Sequence, residues 1–159
     1  MKQFKLSMII ATIAFSISSC SNKRQAQTEP EAIAPFNISK AEMLSDKCDT
    51  ITAPLSQEDY ALMIDLIESG ITELTPTLKE IVESKSQEEA ITAYSQNSEL
   101  TDKIDYISSF WDYAANGELS NENRNRLNGL SEKYAEFDYI TGQEKVKTIP
   151  MAISESVVE

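Results

Sequence analysis

The fold is decided by residues 57–84, which read QEDYALMIDLIESGITELTPTLKEIVES. Apolar side chains recur in this stretch at intervals of four and three residues, the spacing that places them on one face of an α-helix. The seam that they form consists of Tyr60, Ile64, Ile67, Ile71, Leu74, Leu78 and Ile81. Ser56, followed by Asp59 three positions later, has the pattern of a helix N-cap. These features predict a long amphipathic helix over 57–84.

Gly70 and Pro76 interrupt this seam and leave two interpretations open. Thr75 followed by Pro76 has the pattern of an N-cap with a first-turn proline, which would split the segment and give four helices in the domain. The apolar spacing, however, continues through both residues without a change of register. We therefore predict one helix with a kink near Pro76, where proline removes a backbone hydrogen bond.

Two further helices are predicted downstream. Ser86 and Glu89 repeat the capping pattern, and the apolar spacing that follows ends before an Asn-Gly pair, which predicts a helix over 87–115. Its seam consists of Ala90, Ala93, Asn97, Leu100, Ile104, Ile107, Trp111 and Ala114. A third helix opens at residues 119–122, and its seam consists of Leu127, Leu130, Tyr134 and Phe137. Because the connections are short, we predict an all-α fold, an antiparallel three-helix bundle over 55–140.

The segments on either side of the bundle have weaker patterns. Residues 36–54 carry scattered apolar side chains, which predicts a short irregular or partly helical segment with a helix begun at Ser39. Residues 141–159 lack helical spacing and contain Pro150, which predicts a mobile, disordered C-terminal tail.

The N-terminal residues have the composition of a targeting segment. Lys2 and Lys5 precede an uncharged apolar run over residues 6–17, shorter than the roughly 20 apolar residues that a membrane-spanning helix needs. The run ends in a branched apolar residue, two small residues and a cysteine, namely Ile17, Ser18, Ser19 and Cys20. This order resembles the lipobox of bacterial lipoproteins.

The resemblance implies that residues 1–19 are a signal peptide and that Cys20 becomes the lipidated N-terminus outside the cytoplasm. Palmitate and other acyl chains on Cys20 would then anchor the protein in a lipid bilayer, since several chains bind a membrane far more tightly than one. Residues 20–35 include the lipidated cysteine and a polar stretch with two prolines, which predicts a flexible, disordered tether.

The residues after Cys20 bear on the destination within the bacterial cell envelope. Ser21 differs from the aspartate that some lipoproteins carry for retention at the inner membrane, which favours the outer membrane. Residues 21–24 also lack the acidic run that resembles a surface-export signal. This favours an orientation towards the periplasm, although surface exposure stays open.

The charge of the chain excludes one class of partner. The sequence has 14 basic and 26 acidic side chains, a net charge of −12. Removal of Lys2 and Lys5 with the signal peptide leaves 12 basic against 26 acidic side chains, a net charge of −14. We expect no nucleic-acid partner, because contact with phosphates needs a basic surface.

The residue types of the common catalytic sites are missing. The chain has no histidine, which removes the usual general base, the commonest metal ligand and the Ser-His-Asp arrangement. Four glycines cannot form a phosphate-binding loop in these positions, and no serine stands three residues before a lysine. We therefore expect no enzyme, no cofactor and no metal site. Cys48, left without a partner once Cys20 is lipidated, would have to carry any thiol chemistry.

Four aromatic residues, Tyr106, Phe110, Trp111 and Tyr113, lie close together in the second predicted helix. Trp111 belongs to the predicted seam, and the other three form a second stripe beside it. A helix in a three-helix bundle meets two neighbours, so both stripes can be core. Alternatively, the four residues form a patch that binds an envelope protein, a peptide or a glycan, since Tyr and Trp suit partly wet interfaces.

A short motif at residues 49–51, Asp-Thr-Ile, resembles the general O-glycosylation site of some extracytoplasmic bacterial proteins. That site has an acidic, a hydroxyl and an apolar residue in this order. The resemblance implies that Thr50 is the residue that carries the sugar.

These patterns predict a membrane-anchored extracytoplasmic lipoprotein with a small acidic helical domain and a non-catalytic binding or scaffold role in the envelope. An accessory protein that binds a small molecule, a glycan or a metal ion is the alternative, with Asn97 as the polar residue on a predicted seam. An enzyme that uses carboxylates, tyrosines or Cys48 is a third interpretation.

Overall fold

The computed structural model describes residues 33–50, 54–84 and 86–156, with side chains up to residue 150. These residues form seven α-helices and no strand, so the predicted all-α class is confirmed. The helices are α1 Ile38–Thr50, α2 Gln57–Glu83, α3 Gln87–Ser95, α4 Leu100–Asn116, α5 Asn121–Gly129, α6 Ser131–Thr141 and α7 Glu144–Ser156. The predicted signal peptide, Cys20 and the predicted tether before residue 33 lie outside the described residues.

The central helix is α2, which contacts each of the other six helices. All seven residues of its predicted seam are buried, and so are further residues beside that seam, namely Met63, Leu66, Ser69 and Gly70. A helix that is apolar beyond one stripe needs neighbours on several sides. Several short helices around α2 cover this wide surface, and the predicted arrangement of three antiparallel helices is not confirmed.

The prediction of one continuous helix through Pro76 is confirmed. A capping box opens α2, in which the Ser56 hydroxyl accepts from the Asp59 N–H and the Asp59 carboxylate accepts from the Ser56 N–H. Pro76 and Thr72, whose carbonyl would accept from residue 76 in an uninterrupted helix, are both exposed. Water can bond that carbonyl, which lowers the cost of a proline inside the helix.

The second predicted helix, over 87–115, is wrong as a single element. A turn at residues 96–99 divides it into α3 and α4, and in this turn the Asn97 N–H donates to the Tyr94 carbonyl and the Leu100 N–H to the Asn97 carbonyl. The polar run SQNS at the turn supplies serine and asparagine side chains, which compete with helical backbone hydrogen bonds. Asn97 is therefore a turn residue rather than a polar position on a helix seam.

The third predicted helix also consists of two. The first of them, α5, begins where the third helix was predicted to open, and Ser120 caps it by accepting from the Asn123 N–H. The helix ends at Gly129, a residue of poor helix propensity, and α6 begins at Ser131. Leu130 between them is buried, so the apolar spacing continues across the break.

The predicted mobile tail is wrong for residues 144–156, which form α7 with Pro150 inside the helix. Val146 and Ile149 are buried in the common core, and α7 contacts α2, α3 and α6. Burial of this apolar pair favours the helix, in spite of the hydrogen bond that the proline removes. None of the helices in the described ranges is long and apolar enough to cross a lipid bilayer.

The segment before α2 is fixed by a contact that we call the Phe36 lock, formed by Phe36, Gly70, Glu73 and Lys103. The Phe36 N–H donates to Glu73 Oε2 at 2.8 Å, and Lys103 Nζ donates to Glu73 Oε1 at 2.8 Å. Lys103 Nζ lies 5.9 Å from the centre of the Phe36 ring, within the range of a cation–π contact. A Cβ on Gly70 would lie 2.9 Å from Phe36 Cδ2, so the ring can approach α2 only because this residue is glycine.

The helix that follows the lock is α1, found where a short helix was predicted. It begins at Ile38, one residue before the predicted start, and Asn37 caps it by accepting from the Lys40 N–H at 2.9 Å. Ala41 and Leu44 are its buried residues. The Phe36 lock and these two side chains attach α1 to the rest of the domain.

Candidate functional site

The four aromatic residues predicted as a patch all lie on α4 but do not share one surface. Phe110 is fully buried in the core, with the ring of Tyr106 stacked at a centroid distance of 5.8 Å. Tyr106 and Trp111 are half-buried, and Tyr113 is 42 % exposed. Phe110 is therefore a core residue, as the first interpretation has it, and Tyr113 is the most open of the four.

Trp111 stacks on Tyr134 of α6, with ring centroids 3.9 Å apart and planes 4° from parallel. Burial raises the pKa of Tyr134, and the nearby carboxylates of Asp138 and Asp112 raise it further, against a hydrogen bond with Ser108 that lowers it. The pair packs α4 against α6. The Trp111 ring therefore packs mainly between α4 and α6, and it contributes little to a binding surface.

A pocket of about 510 Å³ lies where α4 ends beside the first turn of α2. Its volume falls within the range of small-molecule sites. We call it the tyrosine pocket, and it is lined by Tyr60, Ser109, Asp112, Tyr113, Asn116 and Gly117. Of the four predicted aromatic residues, Tyr113 belongs to it, and Tyr60 was predicted only as a seam residue.

The tyrosine pocket depends on a close contact between Tyr60 and Gly117. Gly117 is the C-cap of α4, and its N–H donates to the Ala114 carbonyl. A Cβ on Gly117 would lie 2.6 Å from Tyr60 Cζ, far inside contact distance. Glycine therefore allows the phenol of Tyr60 to lie directly on the backbone at the end of α4. Asn116 closes the same turn by donating from its side chain to the Asp112 carbonyl at 2.8 Å.

The hydroxyl of Tyr60 has no hydrogen-bond partner among the described residues, although the side chain is only 8 % exposed. In this part of the chain, no side-chain nitrogen or oxygen is both fully buried and unpartnered. The hydroxyl is therefore accessible, and Tyr60 is one of the residues that line the pocket. A polar group kept from both water and protein partners would cost about 1–3 kcal/mol, so water or a ligand must satisfy it.

A hydrogen-bond network holds the frame of the tyrosine pocket. Gln57, in the first turn of α2, donates from its side chain to the Glu118 carbonyl at 2.8 Å and accepts from the Ser120 N–H at 2.7 Å. The Asn123 side chain donates to the Gln57 carbonyl at 2.9 Å. These bonds fix the connection after α4 to the start of α2, which carries Tyr60. The pocket is therefore preorganised, and no short-range pattern in the sequence predicts this network.

A second concave surface of about 360 Å³, which we call the α7 groove, lies between α3, α4, α6 and α7. Its apolar part includes Ile104, Val146 and Pro150, and Asp105 and Asp138 are its acidic residues. Lys147 is its basic residue, and none of these three charged side chains has a salt bridge to another described residue. Because α7 occupies the segment predicted as a tail, the sequence did not predict this groove.

Cys48 is a free, half-buried cysteine on α1, in surroundings that favour the protonated thiol. Burial raises the pKa of its thiol, and the carboxylates of Asp49 and Asp59 raise it further. Lys47 lowers it less, and the Lys47 ammonium is bonded to the Asp59 carboxylate at 2.6 Å. A thiol with a raised pKa stays protonated at neutral pH, which opposes nucleophilic chemistry.

Of the two predicted modification sites, Cys20 and Thr50, the structure describes Thr50. Cys20 lies outside the described residues. Thr50 is the last residue of α1, is exposed, and donates its hydroxyl to the Asp46 carbonyl at 2.7 Å. O-glycosylation of Thr50 stays a prediction. Within the described ranges, no three Cys, Asp or Glu side chains form a group that could hold a metal ion.

No protein family, curated protein or solved structure matches this chain.

Proposed function

We propose that this chain is a bacterial envelope lipoprotein that acts by binding and is held to a membrane through acyl chains on Cys20. One observation carries the proposal, namely the order of features before residue 21. Two lysines, an uncharged apolar run and a branched apolar residue precede two small residues and a cysteine. Each feature is common alone, but together and in this order they are typical of a lipoprotein signal.

The tyrosine pocket supports binding as the role of the helical domain. It combines an exposed tyrosine ring, a hydroxyl without a protein partner and a frame held by hydrogen bonds. Sites that bind small ligands combine apolar walls with a few placed polar groups in this way. The chain also has no histidine to act as the general base of a hydrolytic site.

The sequence between Cys20 and Phe36 limits where the domain can act. Residues 21–35 are fifteen residues, which span at most about 50 Å when fully extended. The domain therefore works within that distance of the bilayer. We place it at the outer membrane, facing the periplasm, where its net negative charge disfavours contact with other acidic surfaces.

Radiolabelled palmitate tests this proposal directly. In a bacterial host, the natural chain should incorporate label and float with membranes, whereas Cys20→Ser should do neither. Separation of inner from outer membranes by density then tests the destination, and label in the outer-membrane fraction is expected. Absence of label from a natural chain that is exported and folded would contradict the anchor.

The α7 groove supports a second candidate function, the binding of an amphipathic amine as an accessory protein. The groove sets an apolar floor beside two carboxylates, Asp105 and Asp138, against the one ammonium group of Lys147, and none of the three has a salt bridge to another described residue. Melting with hexylamine, and with hexanoate as the matched anionic control, tests it, since a ligand of the folded state raises the melting temperature. An increase with hexylamine that Asp138→Asn abolishes is expected. Equal effects of the two compounds would contradict this function.

A further inference from the structure

The Tyr60 hydroxyl gives the tyrosine pocket a polar group that a ligand could bond in place of water. The side chain is 8 % exposed, its ring lies on the Gly117 backbone, and its hydroxyl has no partner among the described residues. Tyrosines in protein cores usually give their hydroxyl a hydrogen-bond partner. A ligand hydroxyl in the pocket can take this place, because a phenol both donates and accepts.

Tyr113 provides the second element of the site. It is 42 % exposed and lines the same pocket, so much of its ring is open to a ligand. The face of an aromatic ring is electron-rich and attracts groups with partial positive charge. The C–H bonds on one face of a pyranose ring are such groups, and they form a flat surface that fits a tyrosine ring.

The other polar groups of the pocket suit hydroxyl ligands and oppose anions. Asp112 contributes a carboxylate that accepts hydrogen bonds, Ser109 a hydroxyl and Asn116 an amide. None of the six described residues that line the pocket is basic, and the whole chain carries a net charge of −12. A phosphate or a uronic acid would therefore lack a positive partner and meet the charge of Asp112.

An ammonium ligand fits the same pocket less well. Quaternary ammonium groups are bound by several aromatic faces that surround the cation. The Tyr60 ring is covered by the protein, so Tyr113 supplies the one open ring face among the residues that line the pocket. One open aromatic face beside a hydroxyl, a carboxylate and an amide favours a particular kind of ligand. One side of that ligand stacks on the Tyr113 ring, and its other side forms hydrogen bonds.

We propose that the tyrosine pocket binds a neutral pyranose of an envelope glycan, with its ring stacked on Tyr113 and one of its hydroxyls bonded to Tyr60. The inference rests on the binding role proposed above and adds the class of ligand. Tyr113 selects a ligand with a flat face of C–H bonds, and hydrogen bonds to Tyr60 and Asp112 orient the sugar ring.

Calorimetric titration of the mature, full-length chain in a detergent without sugar groups tests the inference. The neutral probes are cellotetraose, mannotetraose and chitotetraose, and the matched anionic and cationic probes are tetragalacturonate and tetramethylammonium. At least one neutral probe should bind with a millimolar or lower Kd, and the two charged probes should not. Failure of all three neutral probes to bind folded protein, or tighter binding of a charged one, would overturn the inference.

Variants then assign the binding to this pocket. Tyr113→Ala should weaken it by more than about 10-fold, and Tyr113→Phe should retain it, since the stacking face remains. Tyr60→Phe should weaken it by about 3- to 10-fold, as expected for one hydrogen bond, without lowering the melting temperature. Tyr139→Ala is the matched control, because Tyr139 is 71 % exposed on α6 and does not line the pocket. Binding that survives Tyr113→Ala or is unaffected by Tyr60→Phe would place the sugar elsewhere and refute the assignment.

The outcome is independent of the lipid anchor. Palmitate labelling of Cys20 tests the envelope function in cells, and sugar titration tests the pocket in purified protein. A labelled protein that binds none of the neutral sugars would leave the lipoprotein proposal intact and reject this inference alone.

Discussion

The Phe36 lock and the tyrosine pocket use the same packing device to different ends. In each, an aromatic ring lies on a glycine of another segment, Phe36 on Gly70 and Tyr60 on Gly117. In the lock, the Phe36 N–H and the Lys103 ammonium are both bonded to the Glu73 carboxylate. In the pocket, the Tyr60 hydroxyl has no partner among the described residues.

The difference between the two contacts separates a structural role from a binding role. A site whose polar groups are all paired within the protein has nothing to offer a ligand, and its loss lowers stability. A site with one unpaired polar group on a rigid backbone can form a hydrogen bond to a ligand without having to rearrange. Substitutions should therefore affect mainly stability at the lock and mainly affinity at the pocket.

The largest effect is expected for Gly70→Ala. The added Cβ would lie 2.7 Å from Ile107 Cγ1 and 2.9 Å from Phe36 Cδ2, so both the lock and the neighbouring Ile107 side chain of α4 must shift. We expect a loss of about 2–3 kcal/mol in the free energy of unfolding, measured by urea denaturation. Gly129→Ala is the matched control, because a Cβ there meets nothing within 4 Å, and it should stabilise the protein slightly. Equal effects of the two substitutions would show that the lock is not tightly packed.

A smaller effect is expected for Glu73→Gln. The substitution leaves Lys103, which is 8 % exposed, without its nearest carboxylate and should cost about 1–2 kcal/mol of unfolding free energy. Glu136→Gln is the control, since the pair of Lys79 and Glu136 is about half exposed and should contribute less than about 1 kcal/mol. A loss no greater than that of the control would mean that the lock depends on its ring alone.

At the pocket, Gly117→Ala should cost about 1 kcal/mol of stability, because the Tyr60 phenol must move away from the added Cβ. The three atoms nearest to this Cβ all belong to Tyr60. The penalty should therefore disappear in a Tyr60→Ala background, which a double-mutant cycle measures. A penalty that persists there would assign the requirement for glycine to the backbone and not to the tyrosine.

The smallest effect is expected from lowering the pH, which protonates Asp59 in the first turn of α2, next to Tyr60. A hydrogen bond from Lys47 lowers the pKa of Asp59 below its ordinary value of 3.8, with further bonds from Ser56 acting in the same direction. A carboxylate with a lowered pKa stabilises the folded state above its ordinary pKa, and this contribution is lost as the pH falls through the lowered value. The difference in Tm between the natural chain and Lys47→Met should be largest at neutral pH and should shrink below 3.8. A difference that is independent of pH would contradict this.

The central helix could be predicted because its information is local. Seven apolar residues at helical spacing and a capping serine specify α2, and the register outweighs Pro76. The breaks at residues 96–99 and at Leu130 could not be predicted from the same spacing, since the apolar positions stay in register across them. α7 was missed because Pro150 is a stronger local signal than the buried pair of Val146 and Ile149.

The candidate site could be predicted only in part. Tyr113 was named from its place among aromatic residues, but Tyr60 was assigned to the core by its spacing alone. What distinguishes Tyr60 is its contact with Gly117, which is far away along the chain, and the Gln57 network that holds the two together. Contacts of this kind leave no periodic pattern. A sequence therefore shows which residues are present but not which of them are in contact.

The Phe36 lock has a mechanical consequence for a chain held at Cys20. With the proposed anchor at Cys20, a pull from the membrane would reach the domain near Phe36, whose backbone N–H is bonded to α2 and whose ring lies beneath a lysine of α4. The load would then pass to α2 and α4 through Glu73 and Lys103 before it reached α1. A tethered domain can in this way stay folded while its anchor drifts within the bilayer.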